Sequence, residues 1–131
     1  MIAIDTNVLV RFLVEDDARQ SAAAAALVER TVRDEDSLYV PGIVLCETVW
    51  VLSVSYRVPR IDIAKTLAEL LRAKHLTFDY PDRLARAVDS FATGRGDFAD
   101  YLIREDAIAA GCTSVATFDR DLLREDGFER P

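Results

Sequence analysis

Short apolar runs alternate along the chain with longer segments whose apolar residues recur every three or four positions. MIAID reads as a short buried strand, and Thr6 or Asn7 can cap the helix that follows it. Ala18 to Arg33 is alanine-rich and helical, and SLYV reads as a second strand. Pro41 opens GIVLCETVWVLS, a long apolar helix with proline at its start. Val58-Pro59 breaks the chain before IDIAKTLAELLRAK, an amphipathic helix with Ile63, Leu67, Leu70 and Leu71 on one face. LTFD is a third strand. Pro81 starts the helix PDRLARAVDSFA, which stops at Gly94. DFADYLIREDAIAA is a further helix ended by Gly111, SVATF a fourth strand, and DRDLLRE a short final helix. Strands alternating with helices predict an α/β fold, with a mostly parallel central sheet of four to five strands and helices on both faces. In such folds ligand sites gather at the carboxyl ends of the strands, so acids placed there are candidates to share a site.

Composition narrows the class. The 131 residues suit one domain spanning 1–131, half apolar and 30% charged. No apolar run reaches the ~20 residues of a membrane span, and the N-terminus carries no basic region ahead of Asp5, so the chain reads as cytoplasmic. Cys46 and Cys112 belong to no CxxC and read as reduced core thiols. A net charge of −7 excludes a protein that coats nucleic acid by charge alone. It is compatible with an enzyme that keeps its acids in a metal pocket and its arginines at the rim.

Four acids from four elements stand out. Asp5 ends the first strand and Asp119 the fourth, and each could serve simply as a helix cap. Glu47 lies among apolar neighbours in IVLCETVWVL, which predicts partial burial. It would then need a metal, a hydrogen bond to Thr48 or Ser53, or an arginine. In DFADYLIRED, Asp97 follows Gly96 and has Asp100 three residues on, so Asp97 reads as the N-cap and Asp100 as its capping-box partner. Asp100 sits near the positive end of the helix and is the better candidate ligand. A helical wheel places Phe98, Leu102 and Ala109 on the buried side, extended by Ala99, Ile103 and Ala110. It makes Glu105 a solvated charge and sets Asp106 about 80° from Phe98.

Asp5, Glu47, Asp100 and Asp119 gathered in one pocket would repel one another unless a cation neutralised them. Oxygen donors of this kind suit Mg²⁺ or Mn²⁺, and the chemistry is metal-assisted hydrolysis of a phosphodiester. His75 is the only histidine, which removes a two-histidine ribonuclease and a histidine-rich zinc site. A phospho-acceptor receiver module would use Asp79 at the end of the third strand, but neither Lys65 nor Lys74 is placed to serve it.

The segments IDTNVLVRFL, LCETVWVL, DFADYLI and VATFDRDL, in that order and spacing, resemble PIN-domain ribonucleases over nearly the whole chain. Within that superfamily they look most like VapC-type toxins of bacterial toxin–antitoxin pairs. The resemblance implies a PIN-like α/β domain, Mg²⁺- or Mn²⁺-dependent endoribonuclease activity on RNA, a homodimer, and inhibition by a VapB-type antitoxin. Carried over by motif, the four family acids fall on Asp5, Glu47, Asp100 and Asp119. Asn7 and Thr117 match supporting polar positions, with Asp97 beside them. Arg104, Glu105 and Asp106 depart from the small apolar pattern of many relatives. The alternative is a catalytically silent PIN-like module that binds RNA or protein. Arg11, Arg95 and Arg120 are the arginines considered for phosphate contact.

Overall fold

The computed structural model describes residues 1–131. Its elements run β1 (Ile2–Ala3), α1 (Thr6–Leu13), α2 (Ala18–Arg33), β2 (Leu38–Tyr39), α3 (Gly42–Val54) and α4 (Arg60–Arg72). They continue with β3 (Leu76–Thr77), α5 (Pro81–Thr93), α6 (Phe98–Ala109), β4 (Val115–Ala116), a 3₁₀ turn (Leu122–Arg124) and β5 (Phe128–Glu129). All pairings are parallel: β1 with β2, β2 with β3, and β4 with β5. The five strands therefore fall in two blocks, β1-β2-β3 and β4-β5. The helices are the larger part of the fold. No helix is long and apolar enough to cross a membrane.

Three local expectations change. Ile2 of β1 is 54% exposed, because β1 lies at an edge of its three-stranded block, and only Ile4 beyond it is buried. The final helix expected from DRDLLRE shrinks to the 3₁₀ turn, since the chain must reverse within a few residues to bring β5 beside β4. On α6 the buried line is Phe98, Tyr101 and Glu105, not Phe98, Leu102 and Ala109. That rotation buries two polar groups, and each has a partner. Tyr101 hydrogen-bonds Glu125. Glu105, 7% exposed, meets Arg86 Nε at 2.9 Å from α5. Asp106 then turns outward and pairs with Arg83 at 3.4 Å.

The core is built from Leu9, Leu38, Val40, Leu45, Leu67, Leu84, Phe91 and Phe98 with their neighbours, so every helix except α2 places large side chains in it. Phe91 and Phe98 meet edge to face across α5 and α6, with centroids 6.4 Å apart. Of the two free cysteines, Cys46 is half-buried on α3 and Cys112 is exposed. Burial, then the Asp106 and Glu47 carboxylates, pushes the Cys46 thiol above its ordinary pKa. A thiol reagent at neutral pH should therefore modify Cys112 first. Cys46 should lag by about tenfold or more, because the thiolate is the reactive form. Mass spectrometry of labelled peptides checks the order, and equal rates would contradict it.

Candidate functional site

Two of the predicted acids, Asp5 and Asp119, begin a helix or turn just after a strand, while Asp100 lies at the start of α6, which follows α5. Asp5 follows β1 and is the N-cap of α1, its Oδ1 accepting the Val8 N–H at 3.0 Å. Capping thus falls to Asp5 rather than to Thr6 or Asn7, because the cap must precede the first helical residue to reach back to the third N–H. Asn7 is exposed on the first turn of α1. After β4, the Thr117 hydroxyl oxygen accepts the Asp119 N–H at 3.1 Å. Asp119 Oδ1 in turn accepts the N–H groups of Asp121 at 2.8 Å and Leu122 at 3.3 Å. At α6 the capping box read from DFAD is present, with Asp100 Oδ2 accepting the Asp97 N–H at 2.8 Å.

These three aspartates share one arrangement. In Asp5, Asp100 and Asp119 a single carboxylate oxygen is fixed by backbone N–H groups. The other oxygen makes no hydrogen bond within the protein. Such a carboxylate is oriented yet keeps an open acceptor, as carboxylates that ligate metals commonly are.

Electrostatics single out Asp100. Burial raises its carboxyl above the ordinary range, the Asp97 N–H works against this, and the neighbouring Asp97, Asp119 and Glu125 carboxylates raise it further. The fold therefore brings Asp100 into range of Asp97, Asp119 and Glu125. Asp5 and Glu47 are not among the neighbours that act on it most.

Glu47 lies exposed on α3, against the expectation of partial burial. The helix is apolar all round, but its buried side is Val44, Leu45, Thr48, Val49 and Leu52. Glu47 falls on the other side, among the exposed Ile43, Trp50 and Val54. The polar side chain buried in that helix is Thr48, whose hydroxyl has no partner.

Carboxylates with one free oxygen each, one of them crowded by like charges, are donors of the type a hard divalent cation takes. No three acids, cysteines or histidines lie close enough together to hold a metal ion as a group. The fit is to an ion that keeps much of its water, as Mg²⁺ does. An apolar cavity of about 340 Å³ lies among Val8, Phe12, Leu27, Val28 and Leu70 and contains none of the predicted site residues.

The candidate arginines divide. Arg11 is committed to the fold: its Nη1 bonds Asp16 at 2.9 Å and Tyr56 at 3.1 Å, and its Nε bonds Gln20 at 2.7 Å. Arg95 is exposed and only 3.9 Å from Asp121, while Arg120 is exposed and unpaired. Phe118, between Thr117 and Asp119, is 85% exposed.

Two residues beside the acids escaped sequence reasoning, Tyr101 and Glu125. The paired glycines of TGRG were the available signal, since they mark a place where something bulky approaches the backbone. Nothing in the sequence says that the bulky group is Tyr101.

A family model for the PIN domain matches residues 2–127 of this chain. A protein named VapC ribonuclease from Aquifex aeolicus (strain VF5) is 26% identical over 120 residues, which is 92% of this chain and 88% of that protein.

Proposed function

Because this chain belongs to the PIN-domain family, we propose that it is a divalent-metal-dependent endoribonuclease acting in the cytoplasm as the toxin of a toxin–antitoxin pair. The observation that carries the reading is Asp100, half-buried at the start of α6 and crowded by carboxylates that a cation would neutralise. The likeness to a protein named VapC ribonuclease supports RNA as the substrate and a VapB-type antitoxin as the partner. A homodimer belongs to the reading; the exposed Ile43, Trp50 and Val54 lie on the side of α3 that also carries Glu47, apolar surface beside a charge.

Asp5, Glu47, Asp100 and Asp119 would hold Mg²⁺ or Mn²⁺, with Asn7, Thr117 and Asp97 in support. The bound ion supplies an activated water at neutral pH and neutralises charge on the phosphate. The chain's own part is orientation. The backbone N–H groups of Val8, Asp97, Asp121 and Leu122 each hold one oxygen of an aspartate, so the free oxygens need not be ordered when the ion arrives. Thr117 fixes the backbone that carries Asp119. Arg120 and Arg95 are exposed nearby and can meet substrate phosphates that a net charge of −7 would otherwise repel.

The test is incubation of purified protein with RNA in Mg²⁺ or Mn²⁺, then in EDTA, then with excess metal restored. Cleavage should appear, stop and return. Stable RNA binding with no cleavage in any metal would favour the silent binding module instead. Cleavage indifferent to EDTA would remove the metal from the mechanism.

A further inference from the structure

The acids assigned above sit on separate pieces of chain, and something must set their spacing. Asp100 belongs to the first turn of α6, whereas Asp119 belongs to the turn that leads into the 3₁₀ segment. One buried side chain links α6 to the far end of that 3₁₀ segment. Tyr101 follows Asp100 directly, is 0% exposed, and packs in the core beside Phe98 and Leu122. Its hydroxyl oxygen accepts the Gly96 N–H at 2.9 Å, which ties α6 to the loop before it. The same hydroxyl donates to the Glu125 carboxylate, with oxygens at 2.7 and 2.9 Å, which ties α6 to the end of the 3₁₀ segment.

The surroundings are shaped for this contact. A Cβ on Gly94 would lie 1.9 Å from the Tyr101 hydroxyl oxygen and 2.8 Å from a Glu125 oxygen. A Cβ on Gly96 would lie 3.2 Å from the tyrosine ring and 2.6 Å from Leu122. The Arg60 guanidinium bonds the carbonyls of Gly96 and Phe91, and lies 4.2 Å over the Phe91 ring. The loop 94–96 is therefore held by α4, α5 and α6 together. At the other end, the Asp119 carboxylate begins the turn that Glu125 closes, since Asp119 takes the Leu122 N–H and the Glu125 N–H bonds the Leu122 carbonyl at 2.9 Å.

We propose that Tyr101 and Glu125 are positioning residues: a buried clamp that fixes the Asp100 turn of α6 against the Asp119 turn. Neither touches the reacting atoms. The inference rests on the metal-dependent nuclease reading and adds to it what holds two of the acids in register. A displacement of about 1 Å between groups that share an ion or a substrate can cost about a hundredfold in rate, so a clamp of this kind has a kinetic signature.

The test compares wild type with Tyr101→Phe, Glu125→Ala, Glu125→Gln and the double variant Tyr101→Phe/Glu125→Ala. Cleavage of one RNA is followed across a titration of Mn²⁺, well below each melting temperature. Tyr101→Phe keeps the ring, so the core stays filled. It and Glu125→Ala should each lower kcat by about ten- to a hundredfold, with KM for RNA changed less than about twofold. The Mn²⁺ concentration for half-maximal rate should rise in both. Glu125→Gln keeps an acceptor for the phenol while removing one carboxylate beside Asp100, so its kcat should lie clearly above that of Glu125→Ala. The double variant should be no slower than the worse single one, as expected of two halves of one contact.

Unchanged kcat and Mn²⁺ dependence in Tyr101→Phe and Glu125→Ala would overturn the clamp. So would a Glu125→Gln variant as impaired as Glu125→Ala, which would make the Glu125 charge itself the requirement. A wild-type protein with no metal-dependent cleavage overturns the nuclease reading and the clamp with it. That outcome is visible before any variant is measured.

Discussion

Asp100→Asn should lose RNA cleavage by about a thousandfold or more, roughly 4 kcal/mol of transition-state stabilisation, while the folded protein becomes no less stable. The amide oxygen of asparagine can still accept the Asp97 N–H, so the start of α6 survives. What disappears is a charge held in a costly place. Burial and the Asp97, Asp119 and Glu125 carboxylates raise the Asp100 carboxyl above its unfolded value. The native state therefore binds that proton more tightly than the unfolded chain does. Its contribution favours folding at acid pH and is lost as pH rises through the native value, so at neutral pH the charge is a cost.

Melting curves without divalent metal should consequently show wild type and variant close together near pH 4 or below, with the variant higher at neutral pH. Adding Mg²⁺ should raise the wild-type melting temperature and leave the variant nearly unmoved, since only the wild type gains the ion. A variant that still cleaves RNA would remove Asp100 from the site. A variant destabilised equally at every pH would show that the carboxylate is structural.

The second large effect concerns shape. Gly94 has an ordinary extended backbone, φ −88° and ψ −172°, so alanine is allowed there by conformation and would slightly restrict the unfolded chain. Space forbids it. The new methyl would lie 1.9 Å from the Tyr101 hydroxyl and 2.8 Å from the Ser90 carbonyl oxygen, one the end of a rigid buried ring and the other backbone. Overpacking of this kind costs about 1–3 kcal/mol or somewhat more, so Gly94→Ala should lower the melting temperature by roughly 10 °C. Gly111 is the control. Its φ is +89° and nothing lies within 4 Å of an added Cβ, so Gly111→Ala should cost only the backbone strain, about 1 kcal/mol. Equal losses at the two sites, read by calorimetry, would mean that crowding by Tyr101 is not what keeps Gly94 a glycine.

The helices were legible in the sequence because each carries its own signals. Pro41 and Pro81 begin two of them, and Gly111 follows the last turn of α6. The Asp97–Asp100 box was legible for the same reason, since both partners lie within one turn. What failed was anything that depended on a distant partner. Glu47 sits in an apolar run, and periodicity cannot tell which side of an all-apolar helix faces the core. The buried face of α6 was misplaced because the wheel left Tyr101 out of the buried side and read Glu105 as a solvated charge. Their partners, Glu125 and Arg86, lie 24 and 19 residues away in the chain. Two buried polar groups with satisfied hydrogen bonds look, in one dimension, like two surface residues.

The carboxylates of Asp5, Asp100 and Asp119 are at once candidate ligands and the groups that start a helix or a turn. This constrains how a descendant of the protein could give up catalysis. Alanine at any of the three would remove a backbone acceptor and cost the descendant roughly 1 kcal/mol of stability. Asparagine would remove the charge and keep the cap. A lineage drifting from cutting RNA to merely holding it should therefore pass through asparagine at these positions, leaving the architecture of the site as a fossil in a protein that no longer turns over.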